Sequence, residues 1–571
     1  EAMVAKIPLE KGDTKTGTMM SYGYNPYLTT WSPFHGAVYA VVESVAKIVA
    51  TGGDPTKIRF TFQEYFKRLN KDAARWGEPF SALLGAYYAQ DQLQLPSIGG
   101  KDSMSGTFHD IDVPPTLVSF AVDVVDVTKV VSPEFKQYSS QVVCVVVGRD
   151  AYELPDFQKL QSSYNRIYEL FLAGKVLAAH TVGFGGISEA VSKMSFGSMI
   201  GLSLDKNIQE SNLFTAEYGS IILELNAKED ATELLKDVDY FVVGTTQKEK
   251  QIQYKEVVME LKDILVSWQG RLEDVFPTQC APETVETSDV SYFEKQIYVC
   301  KNKIARPKVM IPVFPGTNCE YDSKKAFEAA GAEVSTLVFK NIKPGHVNET
   351  VQQLAKVIRQ ANMVMIPGGF SAGDEPDGSG KFIATVFRNP YIKEAISDLL
   401  NNRDGLMLGI CNGFQALIKL GLVPFGEIVD IEEKAPTLTY NTIGRHISCM
   451  AKTKIISNKS PWLANVKVGD VFSIPVSHGE GRFLASSGVA EELFRNGQVA
   501  STYVDEEGKP SMEIAYNPNG SVYAIEGITS PDGRVLGKMG HSERIGTNVY
   551  KNIFGEKDQR IFKSGVEYFT V

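Results

Sequence analysis

The sequence predicts a protein of several domains with mixed α/β and α+β folds, ending in a doubly wound parallel sheet. Three observations predict this fold class. At 571 residues the chain is too long for one core, since a domain averages about 150 residues. Helical and strand-like hydrophobic patterns alternate along its length. In the last part, short apolar strands are each followed by a glycine-containing turn and a helix, as in parallel sheets that carry sites at their carboxyl ends.

Composition excludes several classes of protein. Hydrophobic residues make up 43% and charged residues 22%, an ordinary balance for a globular protein. The net charge of −10 argues against a general nucleic-acid binder, which needs a basic surface. No stretch approaches the ~20 apolar residues of a membrane helix. The six cysteines lack the spacing of metal sites, so we expect reduced thiols and a cytoplasmic protein.

Three domains are predicted, at residues 1–127, 133–305 and 306–571. In the first, apolar residues recur at three- and four-residue steps over Val38–Val49, which predicts a helix. The β-branched run Thr116–Val125 predicts a strand in the same domain. The first domain is therefore expected to be of the α+β kind.

A turn in the first domain is a candidate phosphate site. It consists of Gly100, Lys101, Asp102 and Ser103. Backbone N–H groups of such a turn and the Lys101 ammonium can both face an anion. An exposed charged turn explains these residues equally well.

The second domain combines a strand, a helix and a loop rich in glycine. Its near-continuous apolar run Gln141–Val147 predicts a buried strand, and Ser162–Ala173 has a helical pattern. The glycine-dense segment His180–Ile187 is expected to be a loop.

Strands and helices alternate most clearly in the third domain. The predicted strands are Lys308–Phe314, Val334–Phe339, Met363–Ile366, Gly405–Ile410 and Val522–Ile528, and the predicted helices are Asp322–Gly331 and Phe414–Leu420. We therefore searched for chemistry at the ends of these strands.

A cysteine stands where a nucleophile would stand in a strand-to-helix elbow. Cys411 lies in Gly409-Ile-Cys-Asn-Gly413, whose glycines permit a sharp turn that exposes the central side chain. The partial positive charge of the helix N-terminus favours the thiolate. A buried cysteine at a tight turn is the alternative.

His541 is the best candidate for the base that such a thiolate needs. Glu543 follows two residues later, so both side chains can lie on one side of an extended segment and the carboxylate can orient the imidazole. Cys319 is a rival nucleophile, but it lacks flanking glycines, so we expect a structural or loop thiol.

The glycines that follow Ile366 supply candidate oxyanion donors. The N–H of Gly369 or Phe370, together with that of Asn412, can stabilise a developing oxyanion, and one such donor is typically worth about 10²–10³ in rate. A bare turn is the other explanation.

Six ordered motifs of the third domain resemble class I glutamine amidotransferases, and more narrowly the glutaminase of the phosphoribosylformylglycinamidine synthase family. The motifs are residues 315–320 (PGTNCE), 367–374 (PGGFSAGD), 409–415 (GICNGFQ), 437–441 (TLTYN), 477–483 (SHGEGRF) and 541–544 (HSER). The resemblance implies that Cys411 attacks the glutamine carboxamide and that His541, oriented by Glu543, transfers protons. It also implies that Gln415, His478 and Glu480 line the glutamine pocket or its domain interface.

The first two domains resemble the second synthetase half of the same family, whose fold is shared with aminoimidazole ribonucleotide synthetase. The matching segments are Ala46–Pro55, Gly99–Ser105 and the loop His180–Ile187. The resemblance implies ATP and Mg²⁺ as cofactors, with formylglycinamide ribonucleotide and glutamine as substrates. It implies a first synthetase half as partner, and no nucleic acid or membrane. Because the chain opens without an initiator methionine, we expect it to be a piece of something longer.

Two departures from the family pattern concern the implied metal site. Glu43 is the candidate metal ligand, yet Lys47 stands four residues later where the family has a carboxamide. In the glycine loop, Thr181 and Phe184 replace carboxylates, and Phe184 offers no oxygen to a hard cation. Our hypothesis is a degenerate nucleotide site in this half, with the working ATP site in the other half.

The resemblance implies the synthesis of formylglycinamidine ribonucleotide, with ATP consumed and ammonia supplied from glutamine. Two other classes stay open: a cysteine hydrolase with another substrate on the same sheet, and a scaffold half without synthetase activity of its own. A broad ester or thioester specificity would indicate the first of these.

Overall fold

The computed structural model describes the chain apart from residues 10, 281–286, 288, 375–377, 548 and 571. The side chain of Asp374, the last residue of one quoted motif, also lies outside the described residues. The chain forms two compact units, Glu1–Glu273 and Asp274–Val571. The division into three domains stays a prediction.

The first part of unit 1 is a five-stranded sheet with order β1-β2-β7-β3-β4 and three helices. The strands are β1 (Met3–Lys6), β2 (Thr16–Gly23), β3 (Arg59–Tyr65), β4 (Ser97–Ser103), the short hairpin β5 (Thr107–Phe108) and β6 (Ile111–Asp112), and β7 (Thr116–Asp126); the helices are α1 (Pro26–Trp31), α2 (Pro33–Ala50) and α3 (Ala73–Leu93). Helix α2 begins before the predicted Val38 because the Ser32 hydroxyl caps it and Pro33 suits its first turn.

The second part of unit 1 is a seven-stranded, mostly antiparallel sheet with order β14-β13-β10-β12-β8-β11-β9. Its strands are β8 (Gln141–Val145), β9 (Val176–Thr181), β10 (Gly201–Leu204), β11 (Ile221–Leu225), β12 (Tyr240–Gln247), β13 (Gln251–Tyr254) and β14 (Val257–Glu260); its helices are α4 (Phe157–Leu172), α5 (Gly186–Phe196), α6 (Glu210–Phe214), α7 (Ala231–Leu234) and α8 (Leu261–Gln269). The predicted loop at His180 is shorter than expected, because β9 includes Thr181 and α5 begins at Gly186.

Unit 2 is built on a nine-stranded sheet with order β16-β15-β17-β18-β25-β24-β23-β20-β21. The strands are β15 (Lys308–Val313), β16 (Glu333–Val338), β17 (Met363–Ile366), β18 (Leu406–Ile410), β19 (Thr437–Thr439), β20 (Ile447–Ile455), β21 (Val471–His478), β22 (Arg482–Leu484), β23 (Val499–Tyr503), β24 (Ile525–Thr529) and β25 (Val535–Lys538). The helices are α9 (Glu320–Ala329), α10 (His346–Gln360), α11 (Lys381–Phe387), α12 (Pro390–Asn401), α13 (Asn412–Leu420), α14 (Leu422–Phe425), α15 (Ser487–Arg495) and α16 (Ile561–Thr570).

This sheet is mixed, whereas the sequence predicts a parallel one. Neighbouring strands are parallel from β16 to β25 and antiparallel from β25 to β21. A tight turn joins β24 to β25, and such a turn permits only antiparallel pairing. Part of the predicted strand at Val522 is a short 3₁₀ turn, so β24 begins at Ile525.

The parallel half brings the chain segments that follow β18 and β25 to one edge of the sheet. Strands β17 and β18 are buried at every position, which explains their continuous apolar runs. Ile410 at the end of β18 lies beside Lys538 at the end of β25. Cys411 and His541, which follow these strands, therefore emerge at the same edge of the sheet.

Among the described helices, none has the length and apolarity needed to cross a membrane.

Candidate active site

Cys411 occupies a strained turn between β18 and α13. Its backbone has φ 52° and ψ −108°, a conformation that L-residues rarely adopt. The flanking glycines are required by close packing, because a Cβ on Gly413 would lie 1.9 Å from the carbonyl oxygen of Ile366. The Cys411 N–H donates to the carbonyl of Lys538 at 2.8 Å, which fixes the turn against β25.

The Cys411 thiol lies at the N-terminus of α13 and is almost fully buried. The partial positive charge at the start of α13 therefore lies next to this residue. Its Sγ is 3.7 Å from the carbonyl oxygen of Ser477, at the end of β21. The geometry is that of the predicted nucleophile elbow.

His541 and Glu543 form a buried pair beside this thiol. Nδ1 of His541 is 2.6 Å from Oε1 of Glu543, and the His541 N–H donates to the carbonyl of Pro475 at 2.9 Å. Burial opposes a charge on His541, but the Glu543 carboxylate and the neighbouring thiols outweigh it and hold the pKa of His541 well above its ordinary value. Burial likewise opposes the Glu543 charge, and the imidazolium prevails, so the pKa of Glu543 is lowered. The Glu543 carboxylate therefore stabilises the charged form of the His541 imidazole.

Gly368 lies next to both Cys411 and His541. A Cβ at this position would lie 2.7 Å from Cε1 of His541 and 3.5 Å from Cβ of Cys411. The structure thus brings Cys411, His541 and Glu543 together as the sequence predicts, with a gap that only glycine leaves open.

Cys319 also belongs to this cluster, which the sequence did not indicate. Its Sγ is 3.9 Å from Nδ1 of His541 and accepts a hydrogen bond from Nη2 of Arg544 at 3.1 Å. Cys319 caps α9, after the end of β15, at the same edge of the sheet. Its position after a parallel strand was the signal that could have placed it here.

Of the two predicted oxyanion donors that follow Ile366, one is already engaged. The Phe370 N–H donates to the carbonyl of Gly316 at 2.8 Å, so it is not available to a substrate. Gly369 has φ 143°, a value that favours glycine, and no acceptor for its N–H is found among the described residues. Gly369 is therefore the better of the two candidates.

The predicted glutamine-pocket residues form a connected network. The Asn412 amide donates to Oε1 of Gln415 at 2.9 Å, and Nε2 of Gln415 donates to the backbone carbonyl of Glu480. The Glu480 carboxylate accepts from the Ser379 N–H at 2.9 Å. These contacts join α13 to the segment after β21.

His478 is buried with no hydrogen-bond partner for either ring nitrogen among the described residues. Burial, aided by the charge on His541, lowers the pKa of His478 to about 3. This imidazole is therefore neutral and has unused donor and acceptor capacity close to His541.

A buried ion pair supports the peptide that precedes His541. Nζ of Lys538 is 3.0 Å from Oε1 of Glu526, and both side chains are excluded from solvent. Glu526 accepts from the Gly540 N–H, and Lys538 donates to the Gly540 carbonyl, each at 2.7 Å. Both backbone polar groups of Gly540 are thus held by this one ion pair.

In unit 1, Glu43 is engaged by a lysine. Oε1 of Glu43 is 2.7 Å from Nζ of Lys47, and Oε2 accepts from the Tyr24 N–H at 3.2 Å. Lys47 also donates to the carbonyl of Tyr22. The pair lines a cavity of about 400 Å³ that Thr181 and Phe184 also border. The carboxylate predicted as a metal ligand is therefore already neutralised.

The predicted phosphate turn is wrong in its local structure. Lys101, Asp102 and Ser103 lie on β4, the edge strand of the first sheet, paired with β3. Nζ of Lys101 reaches the carbonyl of Asp102 at 3.3 Å. A strand holds its backbone N–H groups in a row instead of a concave nest. A phosphate role for these residues stays a prediction.

Comparison with known proteins agrees with the site geometry. Residues 306–569 match the CobB/CobQ-like glutamine amidotransferase domain family. The chain is 34% identical over 282 residues to phosphoribosylformylglycinamidine synthase subunit PurQ of Methanococcus maripaludis, covering 46% of this chain and 98% of that one.

Longer relatives cover unit 1 as well. The probable phosphoribosylformylglycinamidine synthase of Caenorhabditis elegans is 25% identical, over 95% of this chain and 46% of its own length. The chain thus spans less than half of that relative. Among solved structures, PurLQS from Thermotoga maritima is 26% identical with a TM-score of 0.34, covering 46% of this chain and 100% of that one. From the sequence relatives, the chain belongs to the phosphoribosylformylglycinamidine synthase family.

Proposed function

We propose that this chain releases ammonia from glutamine in unit 2 and supplies a synthetase half in unit 1. The whole enzyme would be a carbon–nitrogen ligase that converts formylglycinamide ribonucleotide into formylglycinamidine ribonucleotide with consumption of ATP. The observation that supports it best is the strained, buried Cys411 beside the His541–Glu543 pair, in a domain related to PurQ subunits.

The reaction at Cys411 proceeds in two steps. The thiolate attacks the carboxamide carbon of glutamine, forming a carbon–sulfur bond, and His541 gives its proton to the departing ammonia. Water then attacks the thioester, His541 takes the proton of that water, and glutamate and the thiolate are released. Glu543 holds the imidazole and stabilises its charge through both steps.

The surrounding residues bind the substrate and its developing charge. The N–H groups of Gly369 and Asn412 stabilise the oxyanion. Gln415 and Glu480 shape the glutamine pocket, and the unpartnered nitrogens of His478 offer it a hydrogen bond. Ammonia must stay unprotonated to act as a nucleophile, so its transfer needs a path that excludes water.

Unit 1 acts as the non-catalytic synthetase half. Mg²⁺ prefers oxygen ligands, but Glu43 is paired with Lys47 and Phe184 offers no oxygen, so these residues do not fit the ion. Structures titled as T. maritima PurL with ATP and with ADP show nucleotides bound to that protein. We assign the working ATP and Mg²⁺ site to the other synthetase half.

The three predicted domains, 1–127, 133–305 and 306–571, are retained in this proposal, as is a cytoplasmic location. A relative from Arabidopsis thaliana is named for the chloroplast and mitochondrion, so location differs within the family.

Labelling with a glutamine-analogue electrophile tests the nucleophile. We expect one adduct by intact mass, mapped to Cys411 and prevented by excess glutamine. The Cys411→Ala variant should stay unlabelled, and the matched control Cys449→Ala, which removes an exposed thiol, should label as the parent does. An adduct on Cys319, or labelling that glutamine does not slow, would contradict the proposal. Faster turnover of esters or thioesters than of glutamine would indicate the other class of cysteine hydrolase.

A further inference from the structure

We propose that Cys319, His541 and Glu543 form a binding site for a thiophilic divalent cation such as Zn²⁺, and that occupancy inactivates the site at Cys411. One ligand atom from each of the three residues lies within 4.8 Å of the other two, and all three residues are buried. Among the described residues this is the only such group of His, Cys, Asp or Glu side chains. The three residues come from two chain segments that meet only in the fold.

The spacing of the donor atoms suits a small tetrahedral ion. With Zn–S near 2.3 Å and Zn–N near 2.0 Å, sulfur and nitrogen ligands stand about 3.5 Å apart. Sγ of Cys319 and Nδ1 of His541 are 3.9 Å apart, so a shift of a few tenths of an ångström suffices.

The Glu543 carboxylate has an oxygen that could bind the ion. Oε1 of Glu543 is bound to His541, but Oε2 is buried and has no hydrogen-bond partner among the described residues. Buried polar atoms are ordinarily satisfied, so this unpaired oxygen points to a ligand. A turn of the carboxylate presents it to an ion between the three side chains.

Charge and ligand type favour the same class of cation. Coordination of a divalent ion displaces the thiol proton of Cys319, so its sulfur and the Glu543 carboxylate together bring two negative charges to the ion. Nη2 of Arg544 donates to this sulfur at 3.1 Å. A set of one sulfur, one nitrogen and one oxygen donor suits Zn²⁺ and not Mg²⁺ or Ca²⁺. Three protein ligands leave the fourth position of a tetrahedral ion for a water molecule or another ligand.

Bound metal would remove His541 from catalysis. Coordination through Nδ1 replaces the hydrogen bond that orients the ring, and the imidazole can no longer carry a proton on that nitrogen. The inference shares residues with the proposed function but does not depend on the substrate of Cys411.

Direct metal binding tests the site without relying on activity. Co²⁺ serves as the probe, because a bound cobalt thiolate absorbs in the near ultraviolet. In the full chain carrying Cys411→Ala, we expect one Co²⁺ per chain, a thiolate band, and loss of that band when Zn²⁺ is added. Adding Cys319→Ser should abolish the band, and adding Cys449→Ser instead should preserve it.

Protection of the thiol gives a second measurement that needs no substitution at Cys319. In the Cys411→Ala chain, Zn²⁺ should slow alkylation of Cys319, mapped by peptide, and Mg²⁺ should not. In a chain that retains Cys411, Zn²⁺ should inhibit glutaminase, and Cys319→Ser should weaken that inhibition at least about tenfold. A Co²⁺ band that survives Cys319→Ser, or Cys319 alkylation unaffected by Zn²⁺, would overturn the proposal. Failure of glutamine-analogue labelling would count against the proposed function alone.

Discussion

Two lysine–glutamate ion pairs, one in each unit, show how the same contact can serve or fill a site. Lys538 and Glu526 in unit 2 lie 3.0 Å apart with side-chain exposures of 2% and 0%. Lys47 and Glu43 in unit 1 lie 2.7 Å apart with exposures of 16% and 25%. The first pair stands behind the candidate active site and holds the peptide before His541. The second lies in the cavity itself, where it neutralises the carboxylate that a cation would need.

The two regions differ in how many polar atoms lack a hydrogen-bond partner. In the candidate active site, the second Glu543 oxygen, the His478 ring and the Gly369 N–H have no hydrogen-bond partners among the described residues. Around Glu43, both carboxylate oxygens are already bonded. A site that binds a ligand keeps polar atoms free to form hydrogen bonds with it. A site whose polar atoms are already bonded to one another has fewer atoms that can bind a ligand.

The largest expected effect is on the reaction assigned to unit 2. Replacing Cys411 with alanine removes the nucleophile, and we expect glutaminase turnover to fall by about 10⁴-fold or more. Steady-state release of ammonia, measured with the full chain in its complete enzyme, checks this. Cys449→Ala is the control and should retain full activity. Ammonia release that survives Cys411→Ala would mean that another group performs the chemistry.

The second prediction concerns the contribution of the buried Lys538–Glu526 pair to the stability of unit 2. Lys538→Met leaves the Glu526 charge buried and unpaired, which should cost about 3–5 kcal/mol of stability. Hydrogen exchange of unit 2 peptides reports this loss. Adding Glu526→Gln removes the charge but keeps an acceptor for the Gly540 N–H, so most of the stability should return. A loss below about 1 kcal/mol would make this pair equivalent to an exposed one.

The sequence predicts the residues of the candidate site better than it predicts the residues that hold them in place. Cys411 is predicted from its glycine-flanked turn, and His541 and Glu543 are predicted from their two-residue spacing. Each pattern lies within one short segment of the sequence. The contacts of Glu526 with Gly540, and of Cys319 with His541, join distant residues and depend on strand order. Lys538 even ends an apolar strand, where a charged side chain looks misplaced until its partner is known.

Strand direction was equally hidden. An apolar run such as Val522–Ile528 predicts a strand, but not whether its neighbours are parallel or antiparallel. The sequence predicts a phosphate-binding turn at residues 100–103, yet Lys101 lies on a strand that pairs with β3.

The third effect concerns the orientation and charge of His541. Glu543→Gln keeps the shape of the side chain but removes the charge, and we expect turnover to fall by about 10²-fold. Because the carboxylate holds the pKa of His541 above its ordinary value, the substitution should lower that pKa. The imidazolium is then lost at lower pH, so the alkaline limb of the pH–rate profile should move toward acid. An unchanged limb would show that Glu543 does not set the charge of His541.

The smallest expected effect tests whether the Lys47–Glu43 pair occupies the place of a cation in the unit 1 cavity. Because Lys47 and Glu43 are partly exposed, Lys47→Gln should change stability by no more than about 1 kcal/mol. The unsubstituted chain should not bind a non-hydrolysable ATP analogue with micromolar affinity, with or without Mg²⁺. Lys47→Gln frees the carboxylate and restores a carboxamide, so weak Mg²⁺-dependent binding should appear in calorimetry. Lys57→Gln, which breaks the more exposed pair with Asp54, is the matched control and should leave binding absent. If the unsubstituted chain binds the analogue tightly and needs Mg²⁺, the Lys47–Glu43 pair does not fill the site, and unit 1 holds a working nucleotide site.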